Sequence, residues 1–96
     1  MCAFAGCYGN QHRKLTKDAL ALMRHRGPDE TTIQTFPDKK FSVGTNRLAI
    51  RDLHRGLYPF SYKGLSLIYN GELYNVQEIV KSTGYRPKTH CDGEII

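Results

Sequence analysis

The cysteine at position 2 is the residue of this sequence best suited to act as a nucleophile. If Met1 is removed, which the small side chain of Cys2 permits, one residue carries both a thiol and a free α-amino group. That amino group has an ordinary pKa of about 8, so part of it is a neutral base at physiological pH. A nucleophile with its own general base is the N-terminal form of an activated thiol. The simpler alternative is that Cys2 is a small apolar core residue.

Length and composition limit the classes of protein to which the chain can belong. Its 96 residues allow one small domain, and 40% hydrophobic with 24% charged residues is typical of globular chains. The three cysteines are an odd number without a CxxC pair, which argues against a disulfide-rich secreted domain. Isolated Cys and His residues predict no metal site. The absence of a signal peptide and of a membrane-length apolar run predicts a cytoplasmic protein without a membrane partner.

The formal charge of +5 is spread over the chain without a block of like charges. No nucleic-acid-binding motif accompanies it, so nucleic acid is not a predicted partner. A small basic anion-binding protein stays open as a weaker alternative.

In the first half of the chain, residues 2–8 predict a buried strand followed by a turn at Gly9-Asn10. A helix is predicted over 17–25, capped by Thr16 and ended by Gly27-Pro28. Alternating residues predict a hairpin formed by strands 31–36 and 41–48.

In the second half, residues 51–60 are loop-like, and residues 65–70 predict a strand that ends at Asn70-Gly71. A helix is predicted over 76–82, because Asn75 and Glu78 have capping-box spacing and Gly84 suits its end. The final GEII predicts the start of a further helix, which indicates that these residues are the first portion of a larger domain.

Five short stretches occur in one order: MCAFAG at 1, RHRGPDE at 24, NRLAI followed by Asp52, YNGELYN at 69 and HCDGEII at 90. Together they resemble the N-terminal glutaminase domain of the asparagine synthetase family, a class II glutamine amidotransferase domain of the N-terminal nucleophile (Ntn) hydrolase superfamily. The resemblance spans residues 1–96. It implies an α+β fold of four layers, α/β/β/α, with antiparallel sheets that are incomplete in this chain.

The resemblance implies that Cys2 attacks the side-chain amide of glutamine and forms a thioester, with its own α-amino group as base and then acid. Asn70, through its side-chain amide, and Gly71, through its backbone N–H, would form the oxyanion hole. From the residues alone, a simple turn is the better interpretation of this Asn-Gly dipeptide.

For substrate binding, the resemblance assigns the α-carboxylate of glutamine to Arg47, whose planar fork suits a bidentate contact. Asp92 and Glu72 would hold the α-ammonium group, and Arg26 and Asp29 would support the site structurally. The full implied binding set is Arg47, Leu48, Ala49, Ile50, Arg51, Asn70, Gly71, Glu72 and Asp92.

The implied function is hydrolysis of L-glutamine to glutamate and ammonia without a cofactor. Ammonia would pass to a synthetase domain of the same full-length chain, which uses ATP and Mg²⁺ to amidate aspartate or another carboxylate. Such an enzyme belongs to amino-acid biosynthesis, and the resemblance also allows a homodimer.

The sequence departs from the family pattern near the predicted site. Ala3 and Phe4 differ from the usual small residues, Cys91 replaces a usual Ser or Thr, and Tyr58 precedes Pro59 where Gln is common. Arg51 stands at a usually apolar position. The alternative to an active glutaminase is therefore a non-catalytic glutaminase-like binding or scaffold domain, or an incomplete fragment.

Overall fold

The computed structural model describes residues 2–49 and 58–96. The longer elements are β1 (Ala3–Tyr8), α1 (His12–Leu22), β2 (Glu30–Phe36), β3 (Phe41–Arg47), β4 (Phe60–Tyr62), β5 (Leu65–Leu67) and α2 (Val76–Thr83). Short 3-10 turns cover Arg24–Arg26, Pro37–Lys39 and Asp92–Ile95. All strand pairs are antiparallel, which confirms the α+β class. None of the helices in these two ranges is long and apolar enough to cross a membrane.

The main sheet has three strands in the order β1-β3-β2, with β3 in the centre. The predicted hairpin is confirmed, and Asn46 of β3 pairs with Thr31 of β2 on one side and Ala3 of β1 on the other. This register places the beginning of β1 beside the end of β3. Cys2 and the residues after Asn46 therefore lie at the same end of the sheet.

Helix α1 covers one face of the sheet and begins earlier than predicted. Thr16 does not cap it: this fully buried hydroxyl lies within the helix and donates to the Ser42 carbonyl at 3.2 Å. Leu20, 1% exposed, packs over Gly44, where an added Cβ would lie 2.7 Å from Leu20 Cδ1. Gly44 is required here because a larger residue would push the helix off the sheet.

Along β1, the opposite face of the sheet carries large apolar side chains that are exposed in the described structure. Phe4 and Tyr8 of β1 are 53% and 79% exposed. Phe36 and Phe41 stack beside them, with ring centroids 5.9 Å apart. An apolar face of this kind usually packs against another layer.

The second half of the described chain is less regular than predicted. The strand expected over 65–70 ends at Leu67 and pairs with β4, which falls partly within the stretch expected to be a loop. Helix α2 begins at Val76 as predicted, although the Asn75 side chain makes no capping hydrogen bond. Gly84 ends α2 in the left-handed conformation, with φ 69°. The final stretch forms a 3-10 turn where an α-helix start was expected.

Candidate active site

Cys2 lies directly before β1, and the pairing of that strand brings its thiol to the end of β3. The Leu48 N–H donates to Cys2 Sγ at 3.4 Å, and the thiol lies 3.7 Å from the Leu48 carbonyl, to which it can donate. The side chain is only partly accessible. Main-chain atoms of Leu48, which is 46 residues away in the sequence, thus hold Cys2 at this end of the sheet.

The turn after α1 supports this end of the sheet. Arg26 and Asp29, for which a structural supporting role was predicted, make the contacts. Arg26 Nε donates to the Cys2 carbonyl at 3.5 Å. Asp29 donates its N–H to the Arg47 carbonyl at 3.1 Å, and its Oδ2 accepts from the Ala49 N–H at 2.8 Å. Gly27 lies so close to β3 that a Cβ would be 2.5 Å from the Asn46 carbonyl oxygen, so the turn can approach only with glycine here.

A cleft of about 50 Å³ lies beside the Cys2 thiol. Arg47 and Asp92, which line it, are only 5% and 8% exposed. The cleft therefore combines a thiol, a buried guanidinium and carboxylates. Its lining residues are Cys2, Arg47, Leu48, Tyr58, Tyr69, Gly71, Glu72, Cys91 and Asp92.

Asp92 also joins two segments of the cleft wall. Its Oδ2 accepts a hydrogen bond of 2.6 Å from the Leu73 N–H. Because Leu73 follows Gly71 and Glu72 directly, this bond holds their segment against the turn that carries Asp92.

Two of the predicted positions, Asn70 and Ala49, do not line the described cleft, and two more lie outside the described residues. Asn70 is exposed and does not line the cleft. Ala49 lies outside the lining, with its N–H bonded to Asp29. Ile50 and Arg51 lie outside the described residues, as does Met1. Their roles stay predictions.

Three residues of the cleft wall were not predicted as site residues: Tyr58, Tyr69 and Cys91. Tyr58 is 7% exposed, and its hydroxyl lies 3.6 Å from Cys91 Sγ. Burial, and then this hydrogen bond, raise the pKa of Tyr58, so the phenol stays protonated at neutral pH. The only hint in the sequence was that Tyr58 and Cys91 both depart from the family pattern.

Tyr69 covers the glycine of the predicted oxyanion hole. A Cβ on Gly71 would lie 2.6 Å from the Tyr69 hydroxyl. Loss of solvation, followed by the negative charges of Asp92 and Glu72, raises the pKa of Tyr69. Both phenols at the cleft are therefore neutral hydrogen-bond donors near carboxylates. Among the residues that the structure describes, no group of three His, Cys, Asp or Glu side chains could hold a metal ion.

Comparison with known proteins places this geometry in a family. The family model for the glutamine amidotransferase domain matches residues 1–96. Asparagine synthetase (glutamine-hydrolyzing) of Gallus gallus is 34% identical over 104 residues, and the human protein of the same name is 32% identical over 102. Each match covers the whole chain. The putative asparagine synthetase (glutamine-hydrolyzing) 2 of Methanocaldococcus jannaschii is 31% identical over 93 residues, or 77% of the chain.

The chain spans 18% of the length of these three relatives. No solved structure gives a significant match. The family match extends over the same residues that bring Cys2, Arg47, Gly71 and Asp92 to one cleft. This chain therefore belongs to the glutamine amidotransferase domain family.

Proposed function

We propose that this chain is the nucleophile-bearing part of a glutaminase domain, in which Cys2 releases ammonia from glutamine. The observation that carries the proposal is the common cleft of the Cys2 thiol, the buried Arg47 and the carboxylates of Glu72 and Asp92. A free amino acid presents one carboxylate and one ammonium group, and this set offers a partner of opposite charge to each.

In the proposed complex, Arg47 binds the α-carboxylate of glutamine, while Asp92 and Glu72 bind its α-ammonium group. Leu48, directly after β3, lines the cleft and contacts the substrate chain, and the binding roles that the resemblance assigns to Ala49, Ile50 and Arg51 belong to the same proposal. The cleft of about 50 Å³ is smaller than most ligand sites, which enclose roughly 300 Å³ or more. We propose that the partly exposed Tyr69 moves aside to make room for glutamine.

The proposed reaction begins after removal of Met1. The α-amino group of Cys2 takes the thiol proton while sulfur forms a bond to the amide carbon of glutamine. The resulting oxyanion accepts hydrogen bonds from the Gly71 N–H and from the Asn70 amide, which turns inward from its exposed position. One such donor typically contributes about 3–4 kcal/mol to transition-state stabilisation.

The oxyanion then collapses and the carbon–nitrogen bond breaks. The protonated α-amino group of Cys2 gives its proton to the leaving nitrogen, which departs as ammonia. Water next adds to the thioester carbon and gives its proton to the same amino group. Cleavage of the carbon–sulfur bond releases glutamate and restores the thiol. No metal or nucleotide takes part in these steps.

For the whole protein, we propose that ammonia passes to a synthetase domain of the same chain, which amidates aspartate or another carboxylate. ATP and Mg²⁺ would serve that domain alone. A cytoplasmic location and a homodimer are part of the same proposal. The complete domain would adopt the four-layer Ntn fold, whose second sheet would cover the apolar face that carries Phe4 and Tyr8.

The proposal is tested by measuring glutamate and ammonia release from glutamine by the full-length protein and two cysteine variants. We expect Cys2→Ala to abolish release, while Cys7→Ala, which removes a thiol from β1 outside the cleft, retains it. Equal release by the wild type and the Cys2→Ala protein would contradict the proposal. No release by a folded wild-type protein would favour a non-catalytic binding domain.

A further inference from the structure

The carboxylate of Glu94 accepts four hydrogen bonds from one short segment of chain. Its Oε1 accepts from the Tyr85 hydroxyl at 2.9 Å and from the Lys88 N–H at 2.7 Å. Its Oε2 accepts from the Thr89 N–H at 2.7 Å and from the Thr89 hydroxyl at 2.6 Å. We call this arrangement of Glu94 with residues 85–89 the Glu94 clamp.

The clamp is continuous with the turn that carries Asp92. The hydroxyl oxygen of Thr89, bound to Glu94, accepts a further hydrogen bond from the Cys91 N–H at 3.2 Å. The Glu94 N–H in turn donates to the Cys91 carbonyl at 3.2 Å. Asp92 therefore lies between Cys91 and Glu94, both of which take part in these hydrogen bonds.

Asp92 also connects to the segment of the cleft wall that contains Gly71 and Glu72. Its carboxylate bonds to the Leu73 N–H, two residues beyond Gly71. A rotation or shift of the Asp92 turn would break this 2.6 Å contact and move the carboxylate out of the cleft. Glu94 is not among the residues that line the cleft, and this chain of bonds connects it to the side chain of Asp92, which does.

The clamp depends on an ionised carboxylate. A carboxylate accepts at both oxygens, and charge-assisted hydrogen bonds are shorter and stronger than neutral ones. Burial alone raises the pKa of Glu94, but the hydrogen bonds from Lys88, Thr89 and Tyr85 outweigh it and lower the pKa. A glutamine at this position would have only one accepting oxygen and would turn an NH₂ group toward donors.

We propose that Glu94 is a positioning residue for recognition of the amino-acid part of glutamine. It holds the Asp92 turn in place through the clamp and does not touch the substrate. The inference rests on the proposed glutaminase function, because it gives Asp92 the task of binding the α-ammonium group.

The test compares two electrophiles at Cys2 in the full-length protein. A diazo-ketone analogue of glutamine needs the recognition site, whereas iodoacetamide needs only an accessible thiol. We expect Glu94→Gln to slow labelling by the analogue about tenfold, because charge-assisted bonds are lost, and to leave the iodoacetamide rate nearly unchanged. The matched control is Glu78→Gln, at an exposed carboxylate on α2.

A milder variant covers the case in which Glu94→Gln does not fold. Thr89→Val keeps the shape of the side chain but removes the hydroxyl that joins Glu94 to the Cys91 N–H. We expect Thr89→Val also to slow labelling by the analogue selectively, but by a smaller factor than Glu94→Gln does. In steady-state hydrolysis, either variant should raise KM more than it lowers kcat.

Three results distinguish this inference from the function on which it rests. Unchanged labelling by the analogue in both variants would overturn the role of Glu94. Equal slowing of both electrophiles would also overturn it, since the thiol itself would then be affected. Failure of the wild-type Cys2 to react with the analogue at all would instead contradict the glutaminase function, and the inference with it.

Discussion

The Oδ2 atom of Asp92 accepts a 2.6 Å hydrogen bond from the main-chain N–H of Leu73, 19 residues earlier in the chain. This bond joins the Asp92–Ile95 turn to the segment that contains Gly71 and Glu72. Two stretches of the cleft wall are thus directly connected. Because Asp92 both bonds to the main chain and lines the cleft, it is suited to couple ligand binding to the geometry of the cleft wall.

Replacement of this acid should weaken glutamine binding more than it slows chemistry. Asp92→Asn keeps the size of the side chain but removes its charge, and a hydrogen bond to a charged group is worth about 1.5–3 kcal/mol. We expect KM for glutamine to rise roughly 10- to 100-fold in steady-state kinetics of the full-length protein. Asp18→Asn, at an exposed carboxylate paired with Lys14, is the control and should leave KM unchanged. A normal KM in Asp92→Asn would disprove ammonium binding by Asp92.

Arg47 should be sensitive even to lysine. Lysine retains the positive charge but lacks the planar fork that binds a carboxylate through two hydrogen bonds. We expect Arg47→Lys to raise KM about tenfold, the loss of one charge-assisted hydrogen bond. Arg13→Lys changes an exposed arginine of α1 in the same way and should have no effect. Equal KM values for the two variants would rule out a specific carboxylate contact at Arg47.

The contact between α1 and the sheet makes a prediction about stability. Leu20 is 1% exposed and lies against Gly44, whereas Leu22 on the same helix is 81% exposed. Leu20→Ala should lower the free energy of unfolding by about 2–5 kcal/mol, because it leaves a cavity. Leu22→Ala should change it by less than about 0.5 kcal/mol. Urea unfolding of the full-length protein measures both, and similar losses would show that α1 does not pack as described.

The lowered pKa of Glu94 predicts a loss of stability in acid. The folded state binds this proton less readily than the unfolded chain, whose carboxyl has its ordinary pKa of 4.5. The stabilisation is therefore complete above pH 4.5 and disappears as the pH falls through the lower folded-state pKa. Unfolding of the wild type and Glu94→Gln should be compared from about pH 6 to about pH 3. The wild type's advantage should shrink toward the acid end, and a constant difference would refute the clamp's dependence on charge.

Local patterns in the sequence were sufficient for part of the fold. The hairpin of β2 and β3 followed from alternation, and the end of α2 followed from Gly84, because each depends on neighbouring residues. The start of α1 did not, because Thr16 lies within the helix and bonds to Ser42, while the N-cap position falls to Gln11, whose side chain makes no capping hydrogen bond. Strand β4 was also missed, since three residues paired across a turn carry almost no periodicity.

The site was predictable to a similar extent. The family resemblance named Cys2, Arg47, Gly71 and Asp92, which the fold brings to one cleft. It did not name Tyr58, whose ring reaches the cleft only because its hydroxyl lies where a side chain on Gly93 would be. Such a packing relation between residues 35 positions apart leaves no pattern in a single sequence.

The central claim is that Cys2 is an N-terminal nucleophile in a glutamine-binding cleft. The most direct measurement is intact-mass and peptide-mapping mass spectrometry of the full-length protein, before and after reaction with a diazo-ketone analogue of glutamine. We predict a mass that lacks Met1 and one adduct on Cys2 that excess glutamine prevents. Retention of Met1, or an adduct on Cys7 or Cys91 that glutamine does not block, would contradict the claim.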